Sequence, residues 1–162
     1  MKLSRSMVIF LLAGLLSACG FHLRGVAALP AELQFIQLTT DNLTVSQVSQ
    51  LNRNLVQAGA SLNNDGSSDR VGLTVTIGSL PERTLVDSSG SDTIIIRLSR
   101  ELSYSLTSAT GERLADHTTI IRQMDLQLDN NDALSIEYER KSAIESLDRI
   151  LMNQLVLQLE RF

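Results

Sequence analysis

The chain reads as an α+β two-layer sandwich, with two helices packed on one face of a four-stranded, mostly antiparallel sheet in the order β-α-β-β-β-α. Three observations predict this. Val71, Leu73, Val75 and Ile77 alternate with Gly72, Thr74, Thr76 and Gly78, the period-two signature of a strand with one buried face. Ile94, Ile96, Leu98, Leu102, Tyr104 and Leu106 keep one parity over a second, longer run. Two segments flanking these runs repeat apolar residues at helical spacing. One apolar face per strand and one apolar stripe per helix bury together as two layers.

Leu33-Gln-Phe-Ile-Gln-Leu38 is a largely apolar run of strand length. Asp41 or Asn42 then offers an N-cap. Leu43, Val48, Leu51 and Leu55 predict a first helix over roughly residues 43 to 58, with Gly59 as its stop. Ser61 to Asp69 is a polar loop ahead of the alternating strand. Pro81 to Asp92 reads as a second polar loop, carrying Arg83 and Ser88-Ser-Gly-Ser-Asp92. In the long strand, Arg97, Ser99, Glu101, Ser103 and Ser105 take the polar parity, while Arg100 interrupts the apolar one. Either a bulge lets Arg100 reach water, or it sits at the sheet's end with its stem along the core.

Thr107 to Gly111 turn a hairpin, and the return strand covers roughly Arg113 to Leu126, with Leu114, Ile120, Met124 and Leu126 on one parity. Asp129-Asn-Asn-Asp132 ends the sheet and caps a final helix. That helix carries Ile136, Ile144, Leu147, Ile150, Leu151 and Leu155, and Glu137–Lys141 and Glu145–Arg149 stand at i,i+4 spacing. About 27 residues at about 1.5 Å each make a rod near 40 Å. The second face of the sheet, rich in Thr, Ser, Arg and Gln, is expected to be wet.

The amino terminus carries a different message. Lys2 and Arg5 precede an apolar run from Met7 to Leu16, which is too short for a bilayer core needing about 20 apolar residues. Residues 1–18 therefore read as a cleaved export signal. Leu16-Ser-Ala-Cys19 matches a lipobox: an aliphatic residue, two small residues that let the backbone enter a peptidase, and a thiol nucleophilic enough to take diacylglycerol. Burial of acyl chains contributes about 0.8 kcal/mol per CH₂, and more than one chain is needed for stable anchoring. Position 20 is Gly rather than Asp, so sorting to the outer membrane is expected, with the domain on the periplasmic side. Residues 19–30 form a tether, and 31–162 form the folded domain.

Composition excludes several activities. Without Lys2 and Arg5 the 14 cationic residues become 12, against 18 acidic ones, a mature formal charge of −6. Nonspecific nucleic-acid binding, which needs many phosphate contacts, is not expected. The one cysteine is Cys19, committed to lipid, so disulfides, thiol catalysis and cysteine metal sites go together. His22 and His117 stand far apart, with no zinc-ligand spacing, and neither a phosphate-binding glycine loop nor a Gly-x-Ser-x-Gly elbow occurs. No cofactor, no metal and no enzymatic activity are expected.

Ala18-Cys19-Gly20-Phe21-His22-Leu23-Arg24-Gly25 resembles the start of the mature LPS-assembly lipoproteins, the LptE (RlpB) family. Leu29-Pro30 before a strand, Leu51 and Leu55 before Gly59, Arg122 late in the last strand, and a long helix ending in Leu155 and Leu159 are similar too. The resemblance implies a two-helix, four-stranded fold. It implies a partner, the LptD outer-membrane β-barrel, whose lumen the lipoprotein plugs and whose assembly needs it. It also implies delivery of lipopolysaccharide to the outer leaflet, with direct binding through basic residues.

A plug in a polar lumen should present polar side chains, as the Ser/Thr-rich sheet face would. Arg83, Arg97, Arg100 and Arg122 are the candidates for lipopolysaccharide phosphates, which guanidinium groups recognise bidentately. Phe21, His22, Leu23 and Arg24 either form a collar against membrane or barrel wall or dock the tether onto the domain. An autonomous periplasmic lipoprotein module binding a lipid or cell-wall fragment is the alternative function.

Overall fold

The computed structural model describes residues 28–62, 69–87, 93–129 and 131–162. The export signal, Cys19, the Phe21-His22-Leu23-Arg24 motif and the Ser88–Asp92 loop lie outside the described residues. After a 3₁₀ turn at Ala31–Leu33, the elements are β1 (Ile36–Asp41), α1 (Val45–Gln57), β2 (Val71–Ile77), β3 (Glu82–Asp87), β4 (Thr93–Thr107), β5 (Arg113–Asp129) and α2 (Ala133–Leu159). The expected two-layer α+β arrangement is present, with five strands instead of four.

The extra strand is β3, inside the segment expected to be a loop. It pairs antiparallel with β4 from Glu82↔Leu98 to Asp87↔Ile94, with an irregularity between Thr84 and Val86. No alternation marks it, because Glu82, Arg83, Thr84 and Leu85 are exposed one after another and the segment sits between Pro81 and a Ser/Gly run. β4 explains how a fifth strand fits. One edge of β4 is taken along its length by β5. The other edge is shared, by β2 at Leu102–Thr107 and by β3 at Ile94–Leu98. β1 runs parallel to β2 and closes the far side, from Ile36↔Val71 to Asp41↔Thr76.

Several expected boundaries move. The first strand begins at Ile36 rather than Leu33, because Ala31–Leu33 turns as a 3₁₀ helix with Leu33 buried. Neither Asp41 nor Asn42 caps α1. Asn42 takes positive φ in the turn, and Thr44 is the cap, forming a reciprocal capping box with Gln47. Gly59 is the stop, at φ 95°, and Ala60 N–H to Leu55 C=O at 2.9 Å completes a Schellman closure. Asp132 caps α2 by accepting from the Leu134 and Ser135 amides. Leu114 does not share the face of Ile120. The register shifts twice at the start of β5, and Leu114 is the residue left over, half exposed. Among the described residues Glu137–Lys141 and Glu145–Arg149 form no ion pairs; Arg140 reaches Glu82 on β3 instead, at 2.7 Å.

Both helices lie on the even-numbered face of β4. The core between the layers divides in two. At the end where the described chain begins, Leu29, Leu33, Ile36, Leu51, Leu55, the buried face of β2, Leu102 to Leu106, and Leu151 to Leu159 form one large cluster. At the other end, among the described residues, the buried cluster is only Ile96, Leu98, Leu128, Ala143 and Leu147. Chain direction explains the asymmetry. β1, α1 and β2 all stop midway along β4, so only β3, the far parts of β4 and β5, and the first half of α2 continue outward.

Candidate functional site

The four arginines singled out from sequence fall into two cross-strand pairs on opposite faces of the sheet. Arg83 and Arg97 are register partners on β3 and β4, and Asp125 follows Arg97 across to β5. Arg100 and Arg122 are register partners on β4 and β5, three positions along, and face the helices. Odd and even parity of one strand separates them.

On the outer face Arg97 makes a forked ion pair with Asp125, Nε to Oδ1 at 2.6 Å and Nη2 to Oδ2 at 2.8 Å. The hydrogen bond from Arg97 holds the Asp125 carboxyl below the usual carboxylate range, and the same bond raises the Arg97 guanidinium. Arg83 is exposed and makes no ion pair with a described residue. Two guanidinium groups opposite each other repel, and Asp125 offsets this from one side only. The rest of this face is as wet as expected: Thr74, Glu101, Thr119, Gln123 and Gln127 are exposed around it.

Arg100 does neither of the two things expected of it. It is mid-strand, in unbroken register, and its side chain enters the space between the layers, 14% exposed. Its Nε donates to Asp148 Oδ1 on α2 at 2.9 Å, and its Nη1 donates to the Gly78 carbonyl at 3.0 Å, where β2 gives way to β3. Asp148 Oδ2 accepts from Gln47 Nε2 at 2.6 Å, and Gln47 Oε1 accepts from the Thr44 amide. One polar chain thus joins the cap of α1, the middle of α2 and the kink between β2 and β3. It lies where the two hydrophobic clusters meet. Burial of a charge is tolerated only when it is paired and hydrogen-bonded, and here both carboxylate oxygens are used.

Arg122 is exposed beside the C-terminal half of α2. It lines a groove of about 430 Å³ with Ile150, Asn153, Leu157, Gln158 and Arg161. Among the described residues no acidic one lines this groove, in a chain that is acidic overall. Among the described residues its guanidinium donates only to the Ile121 carbonyl beside it, and Gln158 Oε1 is buried there without a partner. The groove combines donors with apolar wall, which suits an anionic amphiphile.

Sequence reasoning missed Asp148, Gln47 and Arg161. A signal for the first was present: Asp148 stands four residues after Ile144 and three before Leu151, on the apolar stripe of α2. Arg100 is the matching exception on β4. Two exceptions of opposite charge on two buried faces are each other's partners.

No family model matches the sequence, and no curated protein matches it. Solved structures do. The solution structure of a lipoprotein B from Nitrosomonas europaea has a TM-score of 0.65 at 20% identity, over 87% of this chain and 90% of that one. Rare lipoprotein B from Shewanella oneidensis follows at 0.60 and 16%, over 76% and 91%. A minor lipoprotein from Acinetobacter baumannii gives 0.55 and 19%, over 79% and 90%. The chain shares their fold across nearly the whole of each.

Proposed function

We propose that this chain is an outer-membrane lipoprotein of the LptE type, lipidated at Cys19, that plugs the LptD β-barrel from the periplasmic side. In this role it is needed for assembly of the barrel and for delivery of lipopolysaccharide to the outer leaflet. Its contribution is non-catalytic. The observation that carries the reading is the shared fold with rare lipoprotein B, joined to a lipobox and a Cys-Gly-Phe-His-Leu-Arg start. The hydrophilic outer face of the sheet supports it, since a barrel lumen offers hydrogen-bonding partners.

Within that reading the candidate arginines take different roles. Arg83 and Arg122 carry guanidinium groups open to a phosphate. Arg97 reaches one by exchanging Asp125, and Arg100 is held by Asp148. Lipopolysaccharide contact through Arg122 would use the cationic groove, with an acyl segment against Ile150 and Leu157.

Purification of the tagged chain in mild detergent tests the partnership. A one-to-one complex with a large β-barrel is expected, and depletion should lower both mature barrel and surface lipopolysaccharide. Normal levels of both after depletion reject the proposal. The groove beside Arg122 also favours a second reading, a freestanding module for an anionic lipid or wall fragment. Recovery as a monomer holding a small ligand would select that reading.

A further inference from the structure

We propose that the end of the domain where the tether enters rests on the bilayer itself, with Phe35 and Phe162 at headgroup level. This rests on the lipid-anchor reading above and concerns the acylated chain before it enters a barrel, to whose anchor it adds a second, non-covalent contact. The chain has four phenylalanines, and both described ones are at this end, 53% and 55% exposed. Phe35 precedes β1, and its carbonyl accepts from the Val71 amide at the start of β2. Phe162 follows α2 by one turn, its amide bonded to Leu159, which is buried in the same cluster as Leu29. Val56 in the last turn of α1 and Leu114 in the first residues of β5 are also exposed here. β1, α1, β5 and α2 thus each leave an apolar side chain outside at this edge, while β2 and β4 do not.

Singly, exposed apolar residues are ordinary; their gathering at the point of attachment is what needs a cause. Leu29 fixes that point, because its amide bonds to the Ala58 carbonyl and its side chain is buried. Eight residues lie between Cys19 and Ala28, and the nine steps reach at most about 30 Å. Acyl chains in the bilayer hold this edge within that distance, whatever path the tether takes. Exposed Phe and Leu side chains on a surface held at the membrane bury into the headgroup–acyl boundary, with a gain that scales with the apolar area buried. Charges of both signs stand at this edge: Arg113 pairs with Asp116 and Arg161 is beside Glu160, while Glu32 and Glu112 are exposed, so no basic patch calls for an anionic surface. A zwitterionic surface fits this balance.

The opposite end supplies a control. Leu134 and Tyr138, in the first turns of α2, are exposed as well, 86% and 74%, but the length of that helix separates them from the tether. The chain has no tryptophan, so one introduced indole reports only its own position. Acylated full chains carrying Phe35→Trp, Phe162→Trp or Tyr138→Trp are reconstituted into phosphatidylcholine–phosphatidylethanolamine vesicles with brominated acyl chains. The first two should be quenched several-fold more than the third, with blue-shifted emission. Equal quenching at all three sites, or none at Phe35 and Phe162 in chains that float with the vesicles, overturns the proposal alone. Chains that do not float overturn the anchoring reading, and this contact with it.

Discussion

The tether end and the far end of the sheet are held together by different means. At the tether end two helices cover β1, β2 and the last third of β4, and leucines at 0% exposure come from every layer. At the far end α2 alone covers three strands, and among the described residues the cluster has five buried members. Grooves open on both flanks of the helix there, one against Leu80 and Leu98, the other against Met124 and Leu126. Area buried drives stability at roughly 25 cal/mol per Å², so the first region is a core in its own right and the second depends on it. The Arg100–Asp148 pair stands at the boundary and ties one to the other.

The largest effect is therefore expected at that boundary. Asp148→Ala leaves the Arg100 charge without its carboxylate, in a place 14% exposed, and frees Gln47 as well. Breaking a buried pair in this way costs about 3–5 kcal/mol. The comparison sharpens with the double variant Arg100→Met, Asp148→Leu, which removes both charges and should recover most of the loss, because hydrophobic replacement of a whole buried pair is often neutral or stabilising. Urea unfolding measures both. A double variant no better than the single one would mean that the pair's hydrogen bonds to Gly78 and Gln47, not charge balance, join the two regions.

Next come matched truncations. Leu155 and Leu128 are both 0% exposed, but Leu155 is in the large cluster and Leu128 in the small one. Leu→Ala changes in cores cost about 2–5 kcal/mol, with the larger values where the surroundings cannot relax. Leu155→Ala should fall at the upper end and Leu128→Ala at the lower. In native-state hydrogen exchange, β3 and the outer parts of β4 and β5 should open at lower free energy than β2. Equal costs and equal protection would abolish the distinction between the two regions.

The same division decides how much of the molecule could be read in advance. β2, β4 and α1 announce themselves because each has one face buried, on the large cluster or, for the first half of β4, on the small one, and period is the record of a buried face. β3 lies outside that cluster and left no period to find. Arg83, Arg97, Arg100 and Arg122 are visible in sequence as cations on strands or a loop, and parity alone already separates Arg97 from Arg100. What parity could not show is that Arg100 has Asp148 above it, since contact between β4 and α2 is set by how the layers stack. Arg161, beyond the end of α2, reaches the Arg122 groove for the same reason. The shifts near Leu114 come from extra residues in one strand of a hairpin, and such insertions erase alternation locally.

Smaller again is the cap of α1. Thr44→Ala removes the acceptor for the Gln47 amide, and capping losses of this type cost about 1 kcal/mol. Gln47 also donates to Asp148, so looser positioning of Gln47 is felt at the boundary pair. Thermal unfolding should place Thr44→Ala well below Asp148→Ala in effect, and the two changes together should fall short of their sum. Strict additivity would mean that the cap and the pair act independently.

The smallest effect belongs to the outer face of the far region, where Arg97 and Asp125 form an ion pair in water. Asp125 is held below its ordinary value of 3.8 chiefly by the Arg97 hydrogen bond. A carboxyl depressed in the folded state contributes stability that is complete above its unfolded pKa and fades as pH falls through the folded one. The contribution should thus be present at pH 6 and decline below about pH 4. Because both partners are solvated, it is slight and screened by salt. Asp125→Asn should therefore lower stability slightly at pH 6 and low ionic strength and leave it unchanged at acid pH, which flattens the acid limb a little. The same substitution releases Arg97 beside Arg83, so binding of a phosphorylated glycolipid to this face should rise rather than fall. A fall would show that the forked pair is itself part of the surface the ligand recognises.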